Sequence, residues 1–172
     1  YGHLDFGENK VQEAVDKWTE MKEKKPDIQL HMIGGLQTNK VKFAVKLFDY
    51  IHSVDSEKLA KKIADEQIKI NRNIKIFIQV NIGNENQKLG ININQIKNLV
   101  DYCKNLKLNI VGLMCIPPAG ADPMNYFNEM KKINQMYGFT ELSMGMSADY
   151  LDAVRTNSTY LRIGSSIFGQ RS

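Results

Sequence analysis

The feature that most constrains this chain is a regular alternation of short apolar runs with longer amphipathic ones. The clearest short run is Ile74, Ile76, Phe77, Ile78, Val80 and Ile82. It is nearly continuous, as expected of a parallel strand buried on both faces. Helical periodicity precedes it from Lys10 to Lys24, where Val11, Ala14, Val15, Trp18 and Met21 share one face. Further strands are expected at Ile28–Ile33, Tyr50–Val54, Leu108–Met114, Glu141–Met144 and Thr159–Ile163. Helices are expected at Asn39–Leu47, Glu57–Ile70, Asn94–Asn105, Pro123–Tyr137 and Ala148–Arg155, with Asp55-Ser56 supplying the cap of the second of these. Leu4-Asp5-Phe6 reads as the tail of one more strand. Alternation at this spacing predicts a parallel sheet with right-handed crossovers.

Seven β/α units are visible, and an eight-fold barrel needs one more. The expectation is therefore an α/β, TIM-type (β/α)8 barrel, one partial domain over residues 1–172 that lacks its first β/α unit. By the usual size of such units, about 30–50 residues would precede Tyr1.

Composition narrows the function. No stretch approaches the roughly 20 apolar residues that span a bilayer. Tyr1-Gly2-His3-Leu4-Asp5 has neither a basic cluster nor an apolar signal core, so the expectation is a cytoplasmic protein without a membrane partner. Net charge is +4, but the basic residues lie mostly along helices, with Lys22, Lys24 and Lys25 at an expected helix end where the macrodipole favours cations. No basic patch is interleaved with aromatics, which argues against nucleic acid. The two cysteines, Cys103 and Cys115, fit neither a disulfide scaffold nor a zinc pattern. Cys103 reads as packing; Cys115 lies just past a strand, where it is either packing or exposed near a site.

In barrels of this kind the site lies at the C-terminal ends of the strands, and the last two loops often hold phosphate. Ser143-Met144-Gly145-Met146-Ser147-Ala148-Asp149 ends a strand, turns on glycine and sets Ser147 at an expected helix N-cap, where amides and a hydroxyl can meet an anion. Capping alone is the plainer reading of Ser147. Arg162-Ile163-Gly164-Ser165-Ser166-Ile167-Phe168-Gly169 offers a glycine that admits close backbone approach, then serine amides and hydroxyls. Arg162 points into the barrel or towards the helices, and if buried it needs an acceptor: either an anionic ligand or a carboxylate. Gly7-Glu8-Asn9, Gly34 to Lys40 and Asn81 also stand at strand ends. His31 and His52 lie within strands, without a partner at metal-ligand spacing, and read as satisfied structural histidines. No nucleophile elbow, Walker loop or zinc signature is present.

These loops carry a resemblance. Phe6-Gly7-Glu8-Asn9 followed by Val11-Gln12-Glu13 resembles the FGENxVQE signature of the pyridoxal phosphate homeostasis protein family, a single barrel similar to the N-terminal domain of alanine racemase. His31 to Lys40 resembles that family's HxIGxLQxNK segment, Lys88-Leu89-Gly90 its KxG loop, and Gly112 to Pro117 its GLMxIP strand. Leu142 to Asp149 resembles LSMGMSxD, and Arg162 to Gly169 resembles RIGxxIFG. The motifs run in family order across nearly the whole chain.

The resemblance implies pyridoxal 5′-phosphate (PLP) as cofactor. It implies a phosphate held by Ser147, Gly164 and Ser165, with Arg162 facing the pyridine nitrogen, Asn9 near the aldehyde and Met146 also among the cofactor-binding residues. In the family a lysine on the first barrel strand bonds the cofactor. No lysine of this chain matches it: Lys75 begins a strand and is expected at the opposite end of the barrel, and Lys40 and Lys88 are loop lysines. No catalytic residue is therefore expected.

An arginine at the ring nitrogen keeps it unprotonated and makes the ring a poor electron sink. The expected function is PLP buffering or delivery within the cell by a monomer, with PLP-dependent apo-enzymes as possible recipients. The alternative is a weak PLP-dependent amino-acid racemase, which needs a base on each face of the substrate. A phosphosugar-binding barrel is the remaining, weaker reading.

Overall fold

A computed structural model describes residues 2–169; Tyr1 and residues 170–172, which the expected domain bounds include, lie outside the described residues. Seven parallel strands form one sheet in sequence order: β1 (Asp5–Glu8), β2 (Gln29–Met32), β3 (Tyr50–Val54), β4 (Lys75–Val80), β5 (Asn109–Cys115), β6 (Glu141–Met146) and β7 (Tyr160–Arg162). Each is followed by a helix: α1 (Val11–Lys24), α2 (Val41–Leu47), α3 (Glu57–Lys69), α4 (Ile96–Asn105), α5 (Pro123–Met136), α6 (Tyr150–Arg155) and α7 (Ser165–Phe168). The alternation expected from the sequence is the alternation observed.

The sheet curls into a nearly closed barrel with two cores. Between sheet and helices lies an apolar layer that includes Leu30, Ile51, Ile76, Ile78, Leu113, Leu142 and Met144, packed with Ala14, Val41, Ala44, Ile63, Val100 and Phe127 of the helices. Inside the curl a smaller cluster joins Tyr50, Phe77 and Met114 with Tyr160. Strand alternation sorts the two sets, because neighbouring side chains face opposite sides. Tyr160 on β7 donates its hydroxyl to that of Tyr50 on β3, 3.2 Å away, so the third and the last strands meet across the interior.

Three helix starts differ from the expected ones. The helices foreseen from Asn39 and Asn94 open as 3-10 turns, Thr38–Lys40 and Ile93–Gln95, before α2 and α4 begin. Asn92 closes the second with a capping box on Gln95. The helix foreseen from Ala148 starts at Tyr150, for a reason given below. Ser56 caps α3 as expected, accepting from the Leu59 amide.

At the floor of the barrel Asp49 ties three elements. It pairs with Lys22 of α1 and with Arg72 at 2.8 Å, and accepts the Leu30 amide of β2 at 2.8 Å. Lys22, in the last turn of α1, also donates to the Leu47 carbonyl at the end of α2. The basic residues at the end of α1 therefore act through tertiary bonds as well as through the helix dipole.

Gly112 marks the tightest strand packing. A Cβ there would lie 1.8 Å from the Glu141 carbonyl oxygen and 3.1 Å from the Phe77 ring. The obstacle on one side is backbone, so β5 and β6 would have to separate. Gly112→Ala is expected to cost about 2–3 kcal/mol and to lower Tm by about 5–10 °C, measured by calorimetry on the two chains.

Candidate anion site at the barrel mouth

β6 and β7 bring the two expected loops together. Met146 and Arg162 are partners in the sheet register. Ser158 and Thr159 fasten the junction, the Met144 amide donating to Ser158 Oγ at 3.1 Å and the Leu142 amide to Thr159 Oγ1 at 2.8 Å. The turns after the two strands therefore emerge side by side.

Ser147 is not a helix cap. The Met146 amide donates to Asp149 Oδ1 at 2.6 Å and the Asp149 amide to the Met146 carbonyl, so Asp149 closes the turn and stands as N-cap of α6. Gly145 allows this turn: its φ is +89°, and a Cβ would lie 2.6 Å from that of Ala153 on α6. Ser147 is left to face the neighbouring turn. Its hydroxyl oxygen accepts the amides of Gly164 and Ser166, each at 3.3 Å. Both bonds are at the long, weak end of the range. The amides converge on one exposed oxygen, and an anionic oxygen in the same place would receive shorter, charge-assisted bonds. Ser165 is the first residue of α7 and, with Gly164, lies exposed at this cup.

Arg162 points into the barrel. It donates from Nη1 to Ser143 Oγ at 2.6 Å and from Nη2 to the Cys115 carbonyl at 2.9 Å. Within the fold its acceptors are a hydroxyl and a peptide carbonyl, not the carboxylate weighed from sequence. Three of the five guanidinium N–H groups remain for other partners. Cys115 is the last residue of β5 and fully buried, which pushes its thiol up to about 12. It is packing, as is buried Cys103.

Asn9 stands at the end of β1, its backbone pressed against Gly34. Among the described residues no hydrogen bond joins it to the cup. Lys75 lies at the floor, as expected, donating to the Tyr50 hydroxyl at 2.8 Å. Lys88 pairs with Glu85 at 2.6 Å and donates to the Pro117 carbonyl at 3.2 Å. No helix of the described residues is long and apolar enough to cross a membrane, and among them no three potential ligands are grouped to hold a metal ion.

Beneath Arg162 lies an arrangement missed in the sequence. His52 Nδ1 is 2.8 Å from Ser143 Oγ, and its Nε2 is 3.0 Å from His31 Nδ1. His31 Nε2 is 3.1 Å from Asp5 Oδ1. The histidines are satisfied, as expected, but by one another, a serine and a carboxylate. His52 stacks on Phe77, centroids 4.3 Å apart, and His31 on Tyr50 at 4.2 Å. Burial holds His52 well below its ordinary value, helped by the neighbouring His31 and by the Arg162 charge. Burial also lowers His31, against the opposing pull of Asp5. The available signal was two histidines in otherwise buried strands; their pairing depends on register.

Both histidines are thus neutral in the fold and free to charge when unfolded. Below their ordinary value of about 6.5 the unfolded chain binds more protons, so stability falls as pH falls. The expected loss approaches about 1.4 kcal/mol per pH unit for each histidine still neutral in the folded state. Urea unfolding between pH 7.5 and 5.5 checks this, and His52→Gln should flatten the slope.

Comparison with known proteins gives a consistent set. Residues 1–172 match the family model described as alanine racemase, N-terminal domain. The chain is 36% identical over 176 residues to the pyridoxal phosphate homeostasis protein of Aquifex aeolicus (strain VF5), covering 96% of this chain and 76% of that one. It is 33% identical over 180 residues to the protein of that name in Escherichia coli (strain K12), covering 99% and 77%. PipY of Synechococcus elongatus PCC7942, solved with PLP bound, superposes with a TM-score of 0.89 at 34% identity over 98% of this chain and 82% of that one. Alanine racemase of Clostridium difficile 630 shares the fold, at TM-score 0.74 and 14% identity, over 97% of this chain and 45% of its own.

Proposed function

The chain belongs to the pyridoxal phosphate homeostasis protein family, and on that premise we propose that it binds pyridoxal 5′-phosphate at the mouth of the barrel and serves to buffer or deliver it inside the cell. The observation that carries the reading is the convergence of the Gly164 and Ser166 amides on Ser147 Oγ, two residues beyond Arg162. Arg162 ends β7 and Gly164, two residues on, opens α7, so the guanidinium and the cup amides rise from one short stretch of chain, an arrangement suited to a ring nitrogen at one end of a ligand and a phosphate at the other.

The donor set fits this cofactor. The cup offers neutral amides and a hydroxyl to a dianion, in the manner of a helix start. Arg162 has three N–H groups left for a ring nitrogen. When bound, the cofactor supplies an aldehyde and an electron-accepting ring. Ser147, Gly164 and Ser165, with the Ser166 amide, would hold the phosphate, and Met146, whose amide is taken by Asp149, would line the cofactor site beside them. Arg162 would donate to the pyridine nitrogen, and Asn9 would stand towards the aldehyde.

The same arginine favours a carrier over an enzyme. A donor that cannot give up its proton leaves the ring nitrogen unprotonated, which weakens the ring as an electron sink. Racemisation also needs a base on each face. The buried Cys115 thiol, with its pKa near 12, is a poor candidate for either. The relatives' shared name supports the homeostatic reading, and recipient apo-enzymes fit it as partners.

Absorbance titration with pyridoxal 5′-phosphate tests the site. Ser147→Ala and Arg162→Ala should each weaken binding about tenfold or more, as loss of a hydrogen bond to a charged group does. Unchanged affinity in both would overturn the assignment. With cofactor present, exchange of the α-hydrogen of D- or L-alanine should stay far below enzymatic rates; rapid exchange would decide for the racemase reading.

A further inference from the structure

The polar groups beneath Arg162 form a continuous line from one end of the barrel to the other. It runs Arg162, Ser143, His52, His31, Asp5, through contacts of 2.6, 2.8, 3.0 and 3.1 Å. The line crosses β7, β6, β3, β2 and β1. His31 and His52 are 4% and 1% exposed, whereas the Asp5 side chain is 51% exposed. One end therefore meets solvent at the floor, and the other meets the proposed cofactor site.

We propose that this line is a one-way hydrogen-bond chain that positions Arg162, with every donor pointing from the guanidinium towards Asp5. The polarity follows from its ends. A guanidinium only donates, so Ser143 Oγ accepts from it. A carboxylate only accepts, so His31 donates from Nε2. A neutral histidine carries one N–H, so His31 Nδ1 is bare and accepts from His52 Nε2. His52 Nδ1 is then bare in turn and accepts the Ser143 hydroxyl proton. Reasoning from the top and from the floor gives the same assignment, with four donors, four acceptors and none left over.

The opposite arrangement fails on a named atom. If His52 carried its proton on Nδ1, Ser143 Oγ would accept from both His52 and Arg162. Its own proton would then have no acceptor among the described residues, and the two facing nitrogens, His52 Nε2 and His31 Nδ1, would both be bare. The titratable groups around the pair are Asp5, Asp49 before β3, Tyr50 on β3, Lys75 on β4, and Tyr160 and Arg162 on β7. None offers either ring nitrogen a shorter polar contact than those in the line.

His52, His31 and Asp5 are thus positioning residues. They hold Ser143 with its lone pair towards Arg162, and so fix where the remaining guanidinium N–H groups aim. That they aim at a pyridine nitrogen rests on the function proposed above; the chain itself does not.

Histidine NMR on the full chain tests the two claims separately. Long-range proton–nitrogen spectra at pH 7.5 should show His31 and His52 as neutral Nε2–H tautomers, with His3 as the exposed internal reference. An Nδ1–H tautomer at either buried histidine would overturn the proposal. In Asp5→Ala, which alters a half-exposed side chain, both histidines should become tautomer mixtures and the Arg162 Nε signal should move. A change confined to His31 would mean a local structural contact and would also overturn it. Adding pyridoxal 5′-phosphate to the wild-type chain should shift the Arg162 Nε signal. Correct tautomers with no such shift would uphold the chain and sink the cofactor reading; binding with wrong tautomers would do the reverse.

Discussion

A guanidinium carried into a barrel must find acceptors there, and the way this fold supplies them organises the parts around it. Arg162 is met by a serine hydroxyl from the neighbouring strand and by the carbonyl that ends the strand beyond it. Both contacts require β5, β6 and β7 to lie in their observed order. A buried charge without partners would be far more costly than any single packing contact in this core. The same pairing of β6 with β7 aligns the turns that hold Ser147 and Gly164, so the cup at the mouth and the charge beneath it share one structural cause.

The two cores do different work. The outer layer is apolar and made from alternate strand residues against helix faces, and hydrophobic burial there needs no direction. The inner space holds Tyr50, Tyr160, Phe77 and both histidines, stacked, tilted or edge-on at centroid distances of 4.2–6.3 Å. Polar groups in so confined a space are tolerated because each is matched. Matching makes the interior specific, since removing one member strands another. Above it the cup is open, built from backbone amides and long bonds that an anion can replace.

This division suits the proposed role of holding a reactive aldehyde cofactor rather than driving chemistry on it. In the proposed site, recognition of phosphate by amides and of a ring nitrogen by arginine would give affinity and orientation. Neither contact adds to the electron demand that carbanion chemistry needs. Strong catalysis would call for a proton donor at the ring and paired bases, and the buried histidines, committed to each other and to Ser143, are out of reach as bases.

The sequence by itself determined the alternating fold, because strands buried on both faces and helices buried on one leave different apolar periods. It also singled out the two loops of the candidate site, since glycine, serine and a following helix turn carry their chemistry locally. Even the floor position of Lys75 followed from its place at the start of a strand. What it could not determine was who meets whom. Ser147 reads as a helix cap until Asp149 is seen closing that turn and the next strand's amides arrive. His52 and Ser143 are 91 residues apart, and only sheet register and curl bring them to 2.8 Å. Local propensity is written in neighbours along the chain, whereas the acceptor for a buried charge is chosen by the closing of the sheet.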